Sequence, residues 1–316
     1  MVQLALGGSL RHTKRKIGAS AAISTAAATY GIGDDDMVHS IARLAAAVSA
    51  ALLAGGAAAQ ELVGKPTPGG IGFQEAATEL ARDIHWFDSI LHWISAFIVL
   101  LVVVLLGIVI FRFGEKKNPT PARFTHNAVL EVLWTGIPVV VLIVIGVISF
   151  PILYKQLDVP EAGVTIKATG NQWYWSYEYP DDEISFDAIM LAKDELEANG
   201  YAPDENLLAA DTAVVLPVNT NVHVLVTGSD VIHAWTIPAF GVKVDAVPGR
   251  MNELWFNADR IGTYFGQCSE LCGKDHSYMP ITVKVVSQED YAAWIETTRT
   301  AQGLPPRRDV KLASAD

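Results

Sequence analysis

Residues 266–280 read Gly-Gln-Cys-Ser-Glu-Leu-Cys-Gly-Lys-Asp-His-Ser-Tyr-Met-Pro. Four potential metal ligands lie on this loop and a fifth lies upstream of it: Cys268, Cys272, His276, Met279 and His233. Thiolate, imidazole and thioether groups are soft to borderline ligands that suit copper. The loop therefore predicts a metal site in which one short segment supplies most of the ligands.

The two cysteines leave several kinds of site open. One thiolate with two imidazoles and a weak thioether would form a mononuclear copper site, whereas two thiolates can bridge two copper ions. In that second arrangement each ion takes one histidine, and the weak positions fall to Met279 and the backbone carbonyl of Glu270. A zinc site would not need Met279. A disulfide, which an oxidising compartment would permit, would leave both His276 and Met279 without a role.

The region around this loop has the pattern of an all-β domain. Short runs of β-branched or aromatic residues are separated by turn residues such as Gly170-Asn171 and Pro248-Gly249. The predicted strands are Val164–Ala168, Gln172–Tyr179, Val214–Pro217, Val222–Val226, Val242–Val247, Asn252–Phe256 and Ile281–Val286. Many short strands of this kind predict a sandwich or barrel. Ser287 with Asp290 resembles a capping box that opens a final helix over 289–301.

Two long apolar runs precede the β-rich region. Ser89–Phe111 and Val132–Tyr154 each contain 23 residues without Asp, Glu, Lys or Arg. A membrane-spanning helix needs about 20 apolar residues, so both runs are long enough to span a bilayer. The loop between them, 112–127, carries four basic residues and one acid, and the positive-inside rule places such a loop in the cytoplasm. Both flanks of the hairpin are then expected on the other side of the membrane.

The first 59 residues have the pattern of a targeting segment. Met37–Arg43 carries one positive charge and precedes a ten-residue apolar run, Leu44–Leu53, and three alanines that end at Ala59. This order is typical of a secretory signal peptide, here residues 37–59, with cleavage after Ala59. Residues 1–36 would then lie upstream of the signal, as an extension that is not native to the chain or as a disordered segment.

The composition excludes some classes of function. Of the 316 residues, 51% are hydrophobic and only 18% are charged, whereas soluble globular domains carry about 25% charged residues. Residues 1–153 hold 11 basic and 10 acidic side chains, but residues 154–316 hold 12 and 24. The net charge of −11 argues against nucleic acid as a partner. An acidic outer half favours a basic partner, although it would equally serve solubility.

Three segments together resemble the cytochrome c oxidase subunit II family. The run Cys-Ser-Glu-Leu-Cys-Gly-x-x-His-x-x-Met-Pro, which begins at Cys268, resembles its dicopper loop. Gln172–Tyr179 resembles its aromatic stretch, and Asn127–Pro138 resembles the start of its second membrane helix. The similarity covers about residues 80–303, with the segments in the family's order. The signal peptide, the two spans and the acidic insertion at Leu191–Leu208 look like the alphaproteobacterial form.

The resemblance implies a fold that joins membrane helices to an all-β domain. Residues 60–82 would form an exposed N-terminal arm, and residues 83–154 a two-helix transmembrane hairpin. Residues 155–303 would form a cupredoxin-like β-barrel or sandwich that ends in the C-terminal helix, followed by a tail over 304–316. The protein would be a multi-pass protein of a bacterial inner membrane, with its N-terminus and β-domain in the periplasm.

The resemblance also implies a ligand set and a function. A binuclear copper centre would take electrons from cytochrome c and pass them to haem in subunit I, where oxygen is reduced to water and protons are pumped. The residues that match its ligands are His233, Cys268, Cys272, His276 and Met279, with the backbone carbonyl of Glu270. The Glu270 side chain matches a ligand of a magnesium ion shared with subunit I, since carboxylates suit this hard cation.

Further residues match roles outside the metal centre. Trp173 matches the exposed aromatic residue through which electrons enter, and Glu131 matches the acid at the mouth of a proton path into subunit I. An acidic docking patch for cytochrome c is matched by Glu178, Asp187, Asp211 and Asp230. Such a patch would steer a basic partner at a rate that falls with salt.

Two alternative functions are weighed against this interpretation. A quinol-oxidising relative has lost the copper ligands, which are all present here. A membrane-anchored copper-delivery or assembly protein could share the Cys-x-x-x-Cys pair and a histidine, but such proteins usually have a thioredoxin-like α/β domain. A binuclear rather than mononuclear centre discriminates the oxidase subunit from the delivery protein.

Overall fold

The computed structural model describes residues 62–120 and 122–306. The predicted signal peptide and the segment upstream of it lie outside the described residues, as do the last ten residues of the predicted tail. Within the described residues the chain runs from a short strand through two long helices into a β-domain and ends in a third helix.

Two apolar helices contain the predicted membrane spans. Helix α1 covers Glu79–Arg112 and helix α2 covers Ala128–Leu157. Their most apolar 18-residue windows have mean hydropathies of 3.4 and 2.7, and no residue in either window is buried. At 1.5 Å per residue both helices exceed the roughly 30 Å of a bilayer core. Each begins at a polar cap, since the Thr78 side chain accepts a bond from the Ala81 N–H and Asn127 accepts one from the Leu130 N–H.

The outer ends of both helices are attached to the β-domain. Lys155, near the end of α2, binds Glu79 at 2.6 Å and Asp83 at 2.7 Å on the first two turns of α1. The backbone carbonyl of Lys155 accepts a 2.9 Å bond from the Trp255 indole, which belongs to a strand of the β-domain. The Thr78 hydroxyl donates to the Phe240 carbonyl at 2.8 Å. These bonds hold the hairpin and the domain as one piece.

The β-domain consists of two main sheets and a small two-stranded one. The strands are β1 Leu62–Gly64, β2 Val164–Asn171, β3 Tyr174–Tyr179, β4 Ile184–Ala188, β5 Val214–Pro217, β6 Asn221–Gly228, β7 His233–Ile237, β8 Val242–Ala246, β9 Asn252–Asn257, β10 Gly262–Gln267 and β11 Pro280–Val286. The larger sheet has the order β4-β3-β2-β6-β9, the second has β1-β10-β11-β5, and β7 pairs with β8. Helix α3, Gln288–Ala301, follows.

The core lies between the sheets and is rich in aromatic side chains. Strands β2, β3 and β6 alternate strictly between buried and partly exposed residues, so each presents one face inward. Trp175 and Tyr179 of β3 are buried, and the Tyr179 hydroxyl donates to the Val215 carbonyl at 2.9 Å. Trp235 of β7 donates its indole N–H to the Tyr177 hydroxyl at 3.2 Å. The predicted sandwich-like all-β domain is confirmed. The polar atoms of the buried Tyr177, Tyr179 and Trp235 side chains all make hydrogen bonds.

The final helix agrees with its predicted cap. The Ser287 hydroxyl accepts a 3.0 Å bond from the Asp290 N–H, and the helix begins at Gln288. Four strands escaped prediction, namely β1, β4, β7 and β10. Strand β7 is buried at four of its five positions. Its sequence therefore lacks the alternation of apolar and polar residues that predicts a half-buried strand.

The expectation of an exposed arm over residues 60–82 needs correction. Leu62–Gly64 adds a strand to the second sheet by parallel pairing with Gly262–Tyr264. Ala77 and Thr78 are buried, and α1 begins at Glu79. The Gly- and Pro-rich composition describes only the middle of this segment, because its two ends make backbone hydrogen bonds with the domain.

The end of β10 packs directly on β7 at a glycine. A Cβ atom built on Gly266 would lie 1.8 Å from the carbonyl oxygen of Thr236, which is far inside any contact distance. Just beyond, the Ser269 N–H donates to the Ala234 carbonyl at 3.1 Å. Glycine at position 266 therefore permits the approach that brings the start of β7 beside the residues that follow β10.

We expect Gly266→Ala to lower the free energy of unfolding by about 1–3 kcal/mol, the usual cost of forcing extra atoms into a packed interior. Thermal and denaturant unfolding of the full chain in detergent would measure it. Gly72→Ala is the matched control, since nothing lies within 4 Å of a Cβ at Gly72, and it should stay within about 0.5 kcal/mol of the unsubstituted chain. Equal stability of the two variants would contradict the close approach at Gly266.

Candidate metal centre

The β10–β11 hairpin delivers four of the five predicted ligands to one end of the β-domain. Gln267 of β10 pairs with Pro280 of β11, so Cys268 and Met279 are the first residues beyond the paired strands on either side. Cys272 lies in the intervening loop, and His276 opens a short 3₁₀ turn, His276–Tyr278. His233 is the first residue of β7, which Gly266 allows to pack against β10.

The side chains of the predicted ligands lie close together. The Cys268 sulfur lies 3.8 Å from Nδ1 of His233 and 3.3 Å from the Glu270 carbonyl oxygen. The Cys272 sulfur lies 3.5 Å from Nδ1 of His276 and 3.5 Å from the Met279 sulfur. The two cysteine sulfurs are 3.9 Å apart. Each thiol therefore has one histidine and one weaker donor beside it, which gives the cluster two similar halves.

The donor set fits a metal and does not form a disulfide. Both cysteines are free and buried, and their 3.9 Å separation is far longer than the roughly 2.05 Å of a disulfide. A metal–thiolate bond is about 2.3 Å, so a single ion can contact both sulfurs at this separation. One ligand atom from each of His233, Cys268 and Cys272 lies within 4.8 Å of the others.

The electrostatics of the two thiols favour the binding of a cation. Burial opposes ionisation of Cys268, but its hydrogen bonds, first of all with His233, lower the pKa of this thiol to about 7. Burial raises the pKa of Cys272 to about 12, and the neighbouring Cys268 thiolate adds to that rise. Two adjacent buried thiolates repel each other unless a cation lies between them. The pair is therefore built to ionise fully only with a cation bound.

Asp230 holds one of the predicted ligands from behind. Its carboxylate accepts a 2.8 Å bond from Nε2 of the fully buried His233, which leaves Nδ1 of that ring to face the Cys268 sulfur. The same carboxylate accepts the backbone N–H of Gln172 at 2.8 Å and of Val231 at 2.6 Å. Burial works against the Asp230 charge, but the His233 bond and these N–H groups lower its pKa. Metal-binding histidines commonly have such a partner.

Sequence reasoning missed this role of Asp230, which was expected to belong to a docking patch. Its carboxylate is turned toward His233, and a third of the side chain remains exposed. The three-residue spacing between Asp230 and His233 was the signal available. This spacing alone could not show that Asp230 contacts His233, because the sequence did not predict that His233 begins a strand.

A second glycine makes room for the His233 ring. A Cβ atom on Gly170, near the end of β2, would lie 2.8 Å from Cγ and Cδ2 of His233. On another side the Trp175 ring meets the imidazole edge-on, with 6.0 Å between centroids. Packing on both sides fixes the ring orientation before any metal binds, which is the usual requirement for a precise ligand.

Trp173 lies against the ligand loop, at the turn between β2 and β3. The ring is partly exposed, and a Cβ on Gly273 would touch its Cζ2 atom at 3.0 Å. The preceding side chain, Gln172, donates to the Cys272 carbonyl at 2.8 Å. Lys274 places its ammonium group 5.6 Å from the centre of the indole. The indole thus reaches from the protein surface to the residue that follows Cys272, one of the predicted ligands.

Three predicted docking residues lie along the edge of the larger sheet. Glu178 and Asp187 share the outer face of β3 and β4, where Ser176 pairs with Asp187 and Glu178 pairs with Ser185. Glu178 binds Lys167 at 2.7 Å, so part of its charge is compensated. Asp211 is exposed and accepts the backbone N–H of Ile189, just beyond β4, at 2.9 Å.

The two remaining predicted residues lie at opposite ends of the molecule. The Glu270 side chain is exposed on the ligand loop, while its carbonyl faces Cys268. Glu131 is exposed in the first turn of α2, beside the loop of residues 112–127. An acid in a first turn is also favoured by the helix dipole, so position alone does not assign a function to Glu131.

Two family models together match most of the chain. The family model described as the periplasmic domain of cytochrome c oxidase subunit II matches residues 164–286, and that of the transmembrane domain matches residues 66–152. Cytochrome c oxidase subunit 2 of Cereibacter sphaeroides is 53% identical over 283 residues, which cover 83% of this chain and 93% of the relative. The probable cytochrome c oxidase subunit 2 of Rickettsia felis is 46% identical over 233 residues, 73% of this chain and 72% of the relative.

Among solved structures, the chain is similar to the periplasmic domain of subunit II of the cytochrome oxidase of Bradyrhizobium japonicum. The identity is 52%, the match covers 46% of this chain and 99% of that domain, and the TM-score is 0.42.

Two apolar helices, a periplasmic β-domain and a His-Cys-Cys cluster define a membrane-bound, copper-binding subunit of an oxidoreductase complex. The matched models and the identity to curated relatives make the assignment more specific. The chain belongs to the cytochrome c oxidase subunit II family, and its partners include the other subunits of that oxidase.

We expect Asp230→Asn to weaken copper binding by about 10–100-fold, the usual effect of removing the partner of a metal-ligating histidine. The affinity would be measured by competition with a copper chelator. Glu253→Gln is the matched control, because Glu253 makes an equivalent 2.9 Å bond to His223 on the sheet surface. An unchanged affinity in Asp230→Asn, or an equal loss in Glu253→Gln, would remove the positioning role from Asp230.

Proposed function

We propose that the chain is the electron-accepting subunit of the oxidase, with two copper ions bound by His233, Cys268, Cys272, His276 and Met279 and by the Glu270 carbonyl. The donor would be cytochrome c, and the acceptor haem in subunit I. The membrane would be the bacterial inner membrane. The observation that carries the proposal is the pair of buried sulfurs at 3.9 Å, with a histidine nitrogen 3.8 Å from one sulfur and another 3.5 Å from the other.

The symmetry of the donor set favours two ions over one. A mononuclear site with one thiolate would use a single cysteine, yet Cys268 and Cys272 each have a histidine of their own. A zinc site gains nothing from the buried Met279 sulfur, which lies 3.5 Å from Cys272. A copper-delivery role is not favoured, because the domain is a β-sandwich and matches the periplasmic domain of subunit II.

The residues around the site would keep its geometry constant while its charge changes. Bound copper supplies a one-electron redox couple, and the chain supplies fixed ligands. Asp230 and Trp175 hold His233, and Cys268 and Met279 are anchored by the paired ends of β10 and β11. Cys268, Cys272 and Met279 are all at least 95% buried, so water is excluded from the sulfurs. A preformed, dry site reorganises little when an electron arrives.

Trp173 is proposed as the residue through which electrons enter. It is the aromatic side chain that reaches from the surface to the ligand loop, where it contacts the residue after Cys272. The acids Glu178, Asp187 and Asp211 lie along the neighbouring sheet edge, and the outer half of the chain is strongly acidic. A basic cytochrome would be steered toward this face at a rate that falls with ionic strength.

The apolar surface beside the ligand loop fits contact with the oxidase core. Val231, Ile232, Leu271 and Tyr278 are exposed there, and Leu271 is 77% exposed. Exposed apolar clusters usually mark protein interfaces. We place subunit I on this surface, with the Glu270 carboxylate contributing to a shared magnesium ion. Glu131, on the other side of the membrane, would lie at the mouth of a proton path into subunit I.

Cysteine substitutions test the proposed centre. In the intact oxidase we expect two coppers in this subunit, with one unpaired electron shared between them in the electron paramagnetic resonance spectrum. Cys268→Ser and Cys272→Ser should abolish the shared signal, because each would remove one of the two thiolates that would hold the ions together. Met279→Leu should retain the copper but shift its potential, because a thioether would be a weak ligand that tunes the metal and does not anchor it. A single-copper spectrum in the unsubstituted oxidase would overturn the proposal.

Trp173→Phe tests the route of the incoming electron. We expect electron transfer from reduced cytochrome c, followed by stopped-flow absorbance, to slow with the copper spectrum unchanged. Trp294→Phe is the matched control, since that indole is partly buried on α3, where it packs against Tyr179 and Phe186. Loss of the copper signal in Trp173→Phe would instead identify Trp173 as a packing residue.

A further inference from the structure

An uncharged loop with exposed apolar side chains lies between β1 and α1. The loop is residues 66–74, Pro-Thr-Pro-Gly-Gly-Ile-Gly-Phe-Gln, and it separates Lys65 from Glu75. Ile71 is fully exposed and Phe73 is 58% exposed. A nine-residue loop on an acidic domain would be expected to carry charge if it faced only water. The metal site and its electron route use none of these residues.

The loop is held at a defined height beside α1. The Phe73 ring stacks on His85 of that helix, with centroids 4.8 Å apart and planes within 4° of parallel. Just before His85, Ala81 is fully buried and lies beneath Gly241 of the β-domain. His85 therefore lies where α1 leaves the domain, and Phe73 lies at the same level.

This level corresponds to the boundary of the bilayer. The charge-free run of α1 begins at Ser89, four residues after His85, which is about 6 Å along the helix. The polar layer on each side of a bilayer is about 5–8 Å thick. Trp86, which follows His85, is 58% exposed at the same level, and tryptophan is enriched in this layer.

The base of the loop is fixed on both sides. Before it, β1 is paired with β10, and Lys65 binds Glu205 at 3.0 Å. After it, Glu75 binds Arg260, and the Ala77 N–H donates to the Ala239 carbonyl at 2.9 Å. A loop whose ends are held in this way keeps its apolar tip in place and does not retract into the domain.

We propose that the loop of residues 66–74 is an interfacial anchor that inserts Ile71 and Phe73 into the headgroup layer of the membrane. The occupant of this surface is lipid, because the loop continues the apolar surface of a membrane helix at the depth where that helix meets the headgroups. Apolar and aromatic side chains bind this layer, and an uncharged loop avoids the cost of burying charge in it. The anchor would fix the height of the β-domain above the bilayer.

The test uses the intact oxidase reconstituted in phospholipid nanodiscs. Ile71→Cys would carry a nitroxide spin label, and its collisions with oxygen, which concentrates in lipid, would be compared with collisions with a water-soluble nickel complex. Ile189→Cys is the matched control, since Ile189 is exposed on the β-domain beyond β4. The unsubstituted oxidase, whose Cys268 and Cys272 are buried, shows the background labelling.

We expect the label at position 71 to have an oxygen-to-nickel collision ratio several-fold above that at position 189. A ratio equal to that at position 189 would place the loop in water and overturn the proposal. Protection from both reagents would also overturn it, because that result means another protein subunit covers the loop. A copper spectrum identical to that of the unsubstituted oxidase would show that the label has left the metal centre unchanged.

Discussion

The metal centre depends on the contact between two backbones that are not paired as neighbouring strands. Strand β10 lies against β7 at Gly266, where the Thr236 carbonyl occupies the space that any side chain would need. This contact brings His233, which begins β7, beside Cys268, which follows β10. The remaining ligands come from the β10–β11 hairpin itself, so their positions follow from one turn. The site therefore combines a residue from a distant strand, His233, with residues from a single hairpin. Both the contact between β7 and β10 and the hairpin loop must form before a metal can bind.

Electrostatics explain why such a site needs its metal. The environment of Cys268 favours the thiolate, whereas burial and that thiolate together disfavour ionisation of Cys272. The fold thus brings together two sulfurs whose simultaneous ionisation is disfavoured, and it surrounds them with neutral donors and packed side chains. A bound cation relieves the repulsion, because it interacts with both thiolates at once. Copper binding and full ionisation of the two cysteines are consequently one coupled event, which the charged Asp230 behind His233 supports.

Much of this arrangement could be predicted from the sequence, because its signals are local. The spans follow from apolar length, and the hairpin ligands follow from the spacing of Cys268, Cys272, His276 and Met279. The parts that could not be predicted depend on distant contacts. Strand β7 lacks alternation because it is buried on both faces, and the carboxylate of Asp230 becomes a histidine partner only once β7 exists. Likewise, β1 is a strand only because β10 offers it an edge, so its composition suggested an exposed arm.

The attachment of the membrane hairpin gives the metal centre a fixed position. Lys155 joins the outer ends of α1 and α2 through Glu79 and Asp83, and its carbonyl accepts the Trp255 indole N–H of β9. Thr78 ties the start of α1 to the carbonyl of Phe240. Strand β9 pairs with β6, and β6 pairs with β2, whose Gly170 lies against the His233 ring. A continuous set of strands therefore connects the membrane boundary to His233, a proposed copper ligand. Because electron transfer depends on fixed distances, a subunit that must pass electrons to a partner in the membrane needs this rigidity as much as it needs its ligands.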